Sequence, residues 1–222
     1  LDRYDIERGD ILATPGVLAT TDRFDALFKY LPANEKPFET GTRVHVHHGT
    51  REVLGRVLLM DGAEMLEPGG EAYAQLRLEE PLAPRYDDRF IVRSYSPVFT
   101  IGGGVVLDAL PPRRTHLRPH ERELLDALAG HDLRGAATGL LQSRGVPMTS
   151  AEAAAALGLP RAGVADDLNR ARLERLKVGT DTYFVTAEGL QRLFDATVSR
   201  LLEFHQAHPL DTGIAAGALR DR

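Results

Sequence analysis

The sequence predicts a multidomain β + α chain, with a β-barrel or sandwich in its first half and a winged helix in its second. Three observations carry this. Short stretches of period-two alternation occupy the first half, with turn signals between them. After Pro111-Pro112 the pattern changes: Ala, Leu, Glu and Arg dominate and the apolar spacing lengthens to a helical period. The second half then reads helix, helix, turn, helix, hairpin, which is the order of a winged helix.

The strands come first. In Glu71–Leu78, Ala72, Ala74, Leu76 and Leu78 alternate with Glu71, Tyr73, Gln75 and Arg77, the pattern of a half-buried strand. In Arg43–His48, Val44 and Val46 share one face while Arg43, His45 and His47 share the other. Glu52–Met60 and Arg89–Arg93 are further strand candidates. Pro15-Gly16 and Pro68-Gly69-Gly70 are turn signals.

The helices follow. Pro119–Ala129 places Leu124, Leu125 and Leu128 on one stripe. Thr149 and Glu152 form a capping-box signature ahead of Ala153–Leu157. Pro160 suits the first turn of a helix expected over Arg161–Arg175, lined by Val164, Leu168 and Leu173. Leu176–Val178, Gly179-Thr180-Asp181 and Thr182–Thr186 read as a small hairpin. A last helix is expected over Glu188–Ala207, with Leu190, Leu193, Phe194, Leu201 and Phe204 facing a core.

Composition narrows the class. The 222 residues are 43% hydrophobic and 27% charged, enough for one large domain or two to three small ones. No apolar run approaches the roughly 20 residues that span a bilayer. The chain opens on Leu1–Tyr4, without a secretory signal and without Met, and reads as a piece of a longer cytoplasmic protein. It has no cysteine, hence no disulfide frame and no thiolate metal site. Residues 1–110 carry 12 Lys/Arg against 18 Asp/Glu; residues 111–222 carry 15 against 14. Nucleic-acid contact must therefore come from local patches.

Few features could carry chemistry. Gly102-Gly103-Gly104 leads into Val105-Val106-Leu107, which is strand-like, and no GKS or GKT follows. A phosphate loop needs a helix after its glycines, so close backbone approach within a barrel is the reading. His45 and His47 lie two apart on one strand face and His48 follows, which is too few ligands for a closed metal site. That polar face, with Arg43 and His47 and with Arg93 nearby, could equally meet RNA phosphates and 2′-OH groups. Arg170, Arg172, Arg175 and Lys177 cluster late in the second half, but Asp166 and Asp167 stand mid-helix, where phosphates repel them. A solvated face competes with RNA contact there. Adjacent carboxylates such as Glu79-Glu80 and Asp87-Asp88 read as solvated surface, and no nucleophile-plus-base arrangement or other catalytic constellation is visible.

Three stretches together resemble the translational GTPases of the elongation factor Tu type. Arg8–Gly16 (RGDILATPG) resembles the close of the second domain in that family. Thr50–Gly55 (TREVLG) is similar to a T-x-D-V-x-G strand early in the third. Arg89–Arg93 (RFIVR) and Thr100–Val106 (TIGGGVV) are similar to that domain's end. His45–Thr50, Ser96–Gly104 and the helical continuation, including Leu202–Gly213 and Leu219-Arg220, resemble the selenocysteine-specific elongation factors within that family.

The resemblance implies an elongation-factor-Tu-like β-barrel followed by winged-helix domains. Residues 1–20 would close the second domain and 21–112 would be the third-domain, tRNA-binding barrel. Residues 115–186 would be a winged helix and 187–222 the truncated start of a second. It implies a hold on selenocysteinyl-tRNA through His45, Ser94 and Tyr95; where Ser94 and Tyr95 stand, the family has a carboxylate and a glycine. It implies delivery of that tRNA to the ribosome at a recoded UGA, with the selenoprotein mRNA hairpin read by later winged helices. GTP and Mg²⁺ would sit in a GTPase domain outside this chain, which itself carries no cofactor, metal or catalytic site. The implied particle is a monomer without a membrane anchor. Two other classes remain open from the residues alone. One is a winged-helix DNA-binding transcription regulator with a β sensing domain; the other is a carbohydrate- or peptide-binding β domain, which 6% aromatics and no Trp support poorly.

Overall fold

The computed structural model describes residues 9–13, 18–133 and 135–214. Strands β1 (Thr21–Tyr30), β2 (Phe38–Glu39), β3 (Thr42–His48) and β4 (Arg51–Leu59) come first. Next are β5 (Met65–Leu66), β6 (Glu71–Leu82), β7 (Arg89–Ser94) and β8 (Thr100–Asp108). Six of them close into an antiparallel barrel in the order β1-β6-β4-β3-β7-β8; β2 and β5 form a separate ribbon. Alternation decides what faces inward. Phe24, Ala26 and Phe28 of β1, Val44 and Val46 of β3, Ala74 and Leu76 of β6 and Val92 of β7 are fully buried in one core. Phe24 meets Phe90 edge-on at 5.3 Å between ring centroids.

The three glycines lie inside β8, between β1 and β7. An added Cβ on Gly102 would stand 2.6 Å from the Lys29 carbonyl, and one on Gly103 would stand 2.5 Å from that of Phe90. On Gly104 it would collide with the Leu27 carbonyl and the Phe90 ring. These glycines let two neighbouring strands approach; no helix N-terminus follows them, so they do not fit a nucleotide phosphate.

The helical module contains α1 (Pro119–Ala129), α2 (Ala136–Arg144), β9 (Met148–Thr149), α3 (Ser150–Leu157) and α4 (Arg161–Arg170). Then come β10 (Glu174–Val178), β11 (Asp181–Val185) and α5 (Ala187–Ala207). β10, β11 and β9 form a three-stranded antiparallel sheet in that order. The Thr149–Glu152 capping box is present at α3. Leu124, Leu125, Leu128, Leu140, Val164, Leu168 and Phe184 share one core. That core also includes Met60 and Leu107, with Leu27 and Tyr73 packed against it from the barrel. No helix among the described residues is long and apolar enough to cross a membrane.

Three expectations need correction. The helix over Arg161–Arg175 stops at Arg170, and Ala171 is extended. Glu174 and Arg175 are good helix formers, but pairing of Glu174–Val178 with Asp181–Val185 draws them into the sheet. The apolar stripe of α5 joins neither core among the described residues: Leu193 and Phe194 are 46% and 61% exposed, and Leu190, Leu201 and Phe204 are only half-buried. The module's core closes at Phe184 and Val185, and Gly189 is the only buried residue of α5. Gln75, expected on a solvated face, is fully buried because the linker after β8 lies over it. In addition, Arg8, Thr14–Gly16 and Leu219-Arg220 lie outside the described residues.

A buried polar cluster joins the two parts. Asp25 of β1 and Asp108 of β8 are register partners, 0% and 3% exposed. Arg114, on the linker, pairs with Asp25 and reaches Glu121 of α1 at 2.8 Å. Arg144 of α2 places one nitrogen 2.9 Å from both oxygens of Asp108. Gln75 donates to Asp25 at 2.9 Å and to the Pro112 carbonyl at 3.0 Å. Burial, then the charge of Asp108, pushes the Asp25 carboxyl up to about 7, against the pull of Arg114 and Gln75. Burial also pushes Glu121 up, but hydrogen bonds from Arg118 and the charge of Arg114 outweigh it and hold Glu121 at about 2.

Arg114→Met strands the buried Asp25 without its cation and leaves Glu121 with Arg118 alone. It is expected to cost about 3–5 kcal/mol, as for a buried pair broken from one side, read by urea unfolding of the whole chain. The two acids give stability opposite pH slopes. Asp25 binds its proton more tightly when folded, so its contribution is full below its ordinary value of 3.8 and is lost as pH rises towards 7. The contribution of Glu121 is present above 4.5 and is lost as pH falls towards 2. The thermal midpoint of Asp25→Asn should therefore vary less than wild type between pH 5 and 8. That of Glu121→Gln should vary less between pH 4.5 and 2.5.

Candidate nucleic-acid interface

The outer face of β3 presents Arg43, His45 and His47, because Val44 and Val46 take the core. Neighbouring β7 presents Arg89, Ile91 and Arg93 by the same alternation. The register sets His45 opposite Arg93 on one side and Leu54 on the other. After Ser94 the chain turns through residues 95–99, which leave Tyr95, Val98 and Phe99 about half exposed.

Three side chains stack across the end of these strands. The Tyr95 ring lies on the His45 ring, with centroids 5.7 Å apart and planes 17° apart. The Arg43 guanidinium sits 4.7 Å from the centroid of Tyr95. Each outer member is held from behind. Glu79 of β6 takes two hydrogen bonds from Arg43, both 2.7 Å. Those bonds raise the Arg43 pKa above its ordinary value and lower that of Glu79. Glu52 of β4 lies 2.6 Å from His45 Nδ1 and 3.6 Å from His47 Nε2. The result is a partly exposed aromatic–cation platform whose geometry precedes any ligand.

The residues singled out from sequence fare differently. Arg43, His45 and Tyr95 come together. Arg93 and His47 lie beside them without joining the stack. The Ser94 hydroxyl accepts from Phe99 N–H at 3.1 Å and donates to the Pro97 carbonyl. It is taken up in closing the hairpin that carries Tyr95. Arg170 ends α4, Arg172 lies in the connection, and Arg175 and Lys177 lie on β10. Arg175 is tied to the Asn169 carbonyl at 3.1 Å and rests over Phe184. Arg175, Lys177 and Arg161 line a cleft of about 630 Å³, while Asp167 lines a different hollow. His45 and His47 share Glu52, and no group of three or more His, Asp or Glu among the described residues is arranged to hold a metal.

The sequence reading missed the partners. Glu79 and Glu80 are exposed, but they lie on a strand and pair with Arg43 at 2.7 Å and with Arg51 at 3.2 Å. Asp88 meets His48 Nε2 at 2.9 Å and the Arg85 N–H at 2.8 Å. The available signal was the alternation of β6 continued past Leu78, which puts Glu79 on the outer face two strands from Arg43.

Residues 26–113 match the family model described as selenocysteine-specific elongation factor, beta-barrel domain. A selenocysteine-specific elongation factor of Desulfomicrobium baculatum is 30% identical over 231 aligned positions, which take in 99% of this chain. The chain spans 35% of the length of that curated relative.

Proposed function

We propose, from a barrel that matches the β-barrel domain model of selenocysteine-specific elongation factors, that this chain grips the acceptor–T-stem arm of selenocysteinyl-tRNA. The observation that carries this reading is the Arg43–Tyr95–His45 stack on the barrel's outer face. A guanidinium and an aromatic ring held in place suit a ribose–phosphate surface, where shape and backbone are read and bases are not. Ser94 acts by fixing the hairpin that presents Tyr95, and Arg93 and His47 flank the same surface.

The helical module, read as a winged helix, serves as an arm from this grip towards mRNA-hairpin recognition by later winged helices. Arg170, Arg172, Arg175 and Lys177 are its candidate RNA contacts. In the whole protein a GTPase domain outside this chain holds GTP and Mg²⁺, and the tRNA is delivered to the ribosome at a recoded UGA. This chain does no chemistry of its own. The setting is the cytoplasm, and the particle a monomer. The buried charge network between barrel and module supports a rigid connection between tRNA grip and arm.

An RNA minihelix copying the acceptor and T-stem arm tests the grip, titrated across a salt series with duplex DNA as control. Binding should favour the RNA and weaken as salt rises. Tyr95→Ala should weaken it about tenfold, near the low end of 1–3 kcal/mol for a lost stacking surface. Equal or stronger binding of duplex DNA would instead favour a DNA-binding regulator.

A further inference from the structure

We infer that four arginines in cross-strand register form a track for the phosphodiester backbone of RNA, leading from Arg43 around the barrel away from Tyr95. The register makes the row. Arg23 of β1 faces Arg77 of β6, Arg77 faces Arg56 of β4, and Arg56 faces Arg43 of β3. With strands about 4.8 Å apart, the row covers roughly 14 Å of the barrel's girth. Inward positions on these strands are apolar, so all four arginines belong to the outer face.

Folding does not call for such a row. Like charges directly opposite one another destabilise a sheet, and any polar residue would satisfy the alternation. This half of the chain is acidic by 12 against 18, so cations are not simply abundant. Carboxylates pair only with the two ends: Asp22 with Arg23 at 2.8 Å and Glu79 with Arg43 at 2.7 Å. In the middle, Arg56 donates to the Gly41 carbonyl at 2.8 Å. Arg77 donates to Gln75 Oε1 at 3.0 Å and to the Arg114 carbonyl at 3.2 Å. Among the described residues, neither has a carboxylate within ion-pair distance. Arg113, exposed on the linker, adds a fifth cation. Burial first, then Arg113 and Arg23, holds Arg77 below its ordinary pKa, against the weaker pull of Asp22 and Asp25 beyond ion-pair distance.

The middle of the row thus keeps its positive charge and is tethered by neutral carbonyl and amide oxygens. A polyanion with charges repeated along its length complements it, and a phosphodiester chain is such a ligand without regard to base identity. That the chain is RNA rests on the proposed grip, since the row begins at Arg43, a member of the platform. The track lengthens the grip across β4 and β6 to β1, beyond the residues that resemblance points to.

The test uses the whole chain, the acceptor–T-stem minihelix and a salt series. Arg23→Gln with Arg56→Gln removes two exposed or partly exposed cations from the row. The thermal midpoint should hold or rise, because like-charge crowding is relieved. Affinity near 0.1 M salt should fall about tenfold or more. The slope of log affinity against log salt should fall by roughly 2, about one per lost phosphate contact. The loss should be the same for minihelices of altered base sequence. Tyr95→Ala should lower affinity and leave the slope unchanged. If the double variant keeps both affinity and slope while Tyr95→Ala weakens binding, the track is wrong and the platform stands. If the double variant weakens binding and Tyr95→Ala does not, the track stands and the platform falls. The same affinity and the same loss on duplex DNA overturn the RNA assignment. No binding by wild type at low salt overturns both.

Discussion

Arg114 is the residue on which the relation between the two halves depends. Its guanidinium is buried between a barrel carboxylate, Asp25, and a helix carboxylate, Glu121. Arg144 repeats the motif from α2 to Asp108. A charge taken out of water is costly unless its partners are in place. The ion pairs of the cluster therefore form in one arrangement of barrel and helices, and a rotation of one against the other would leave ions buried and unpaired. Apolar packing alone, through Met60 and Leu107, would tolerate more slippage. The same residues that make the joint specific make it sensitive to protonation, because two carboxylates share a small buried volume.

The barrel's outer face divides into two parts by what covers it. Around Asp25 and Gln75 it lies under the linker and is dry. Around Arg43, His45 and Tyr95 it lies open, and its polar residues are held by neighbours rather than by a second domain. Glu79 and Glu52 fix a cation and an imidazole at a partly exposed surface. Such fixing adds little stability at a solvated site, but it reduces the ordering cost of binding. The arginine row is the bridge between these two parts, open at Arg43 and Arg56 and partly covered at Arg77.

Much of the fold was legible in order along the chain. Val44 and Val46 announced the inward face of β3, and the capping residues Thr149 and Glu152 announced α3. What misled were residues whose local preference lost to pairing or cover. Glu174 and Arg175 favour a helix but join a sheet once Asp181–Val185 lies alongside. Gln75 reads as solvent-facing but is capped by Pro112, a residue 37 positions later. The stripe on α5 reads as a core face, and no core meets it among the described residues.

For the candidate site, the sequence by itself determined which side chains lie on the outer face, because alternation is a property of each strand alone. It put Arg43 and His45 on that face by alternation, while Tyr95, which follows the end of β7, was pointed to by resemblance. Only the tertiary structure decided what meets what. Register between β3, β4, β6 and β1 is set by barrel closure, and a slip of one residue would send each side chain to the other face. That closure brings Glu79 to Arg43, Tyr95 onto His45, and four arginines from four separate strands into one line.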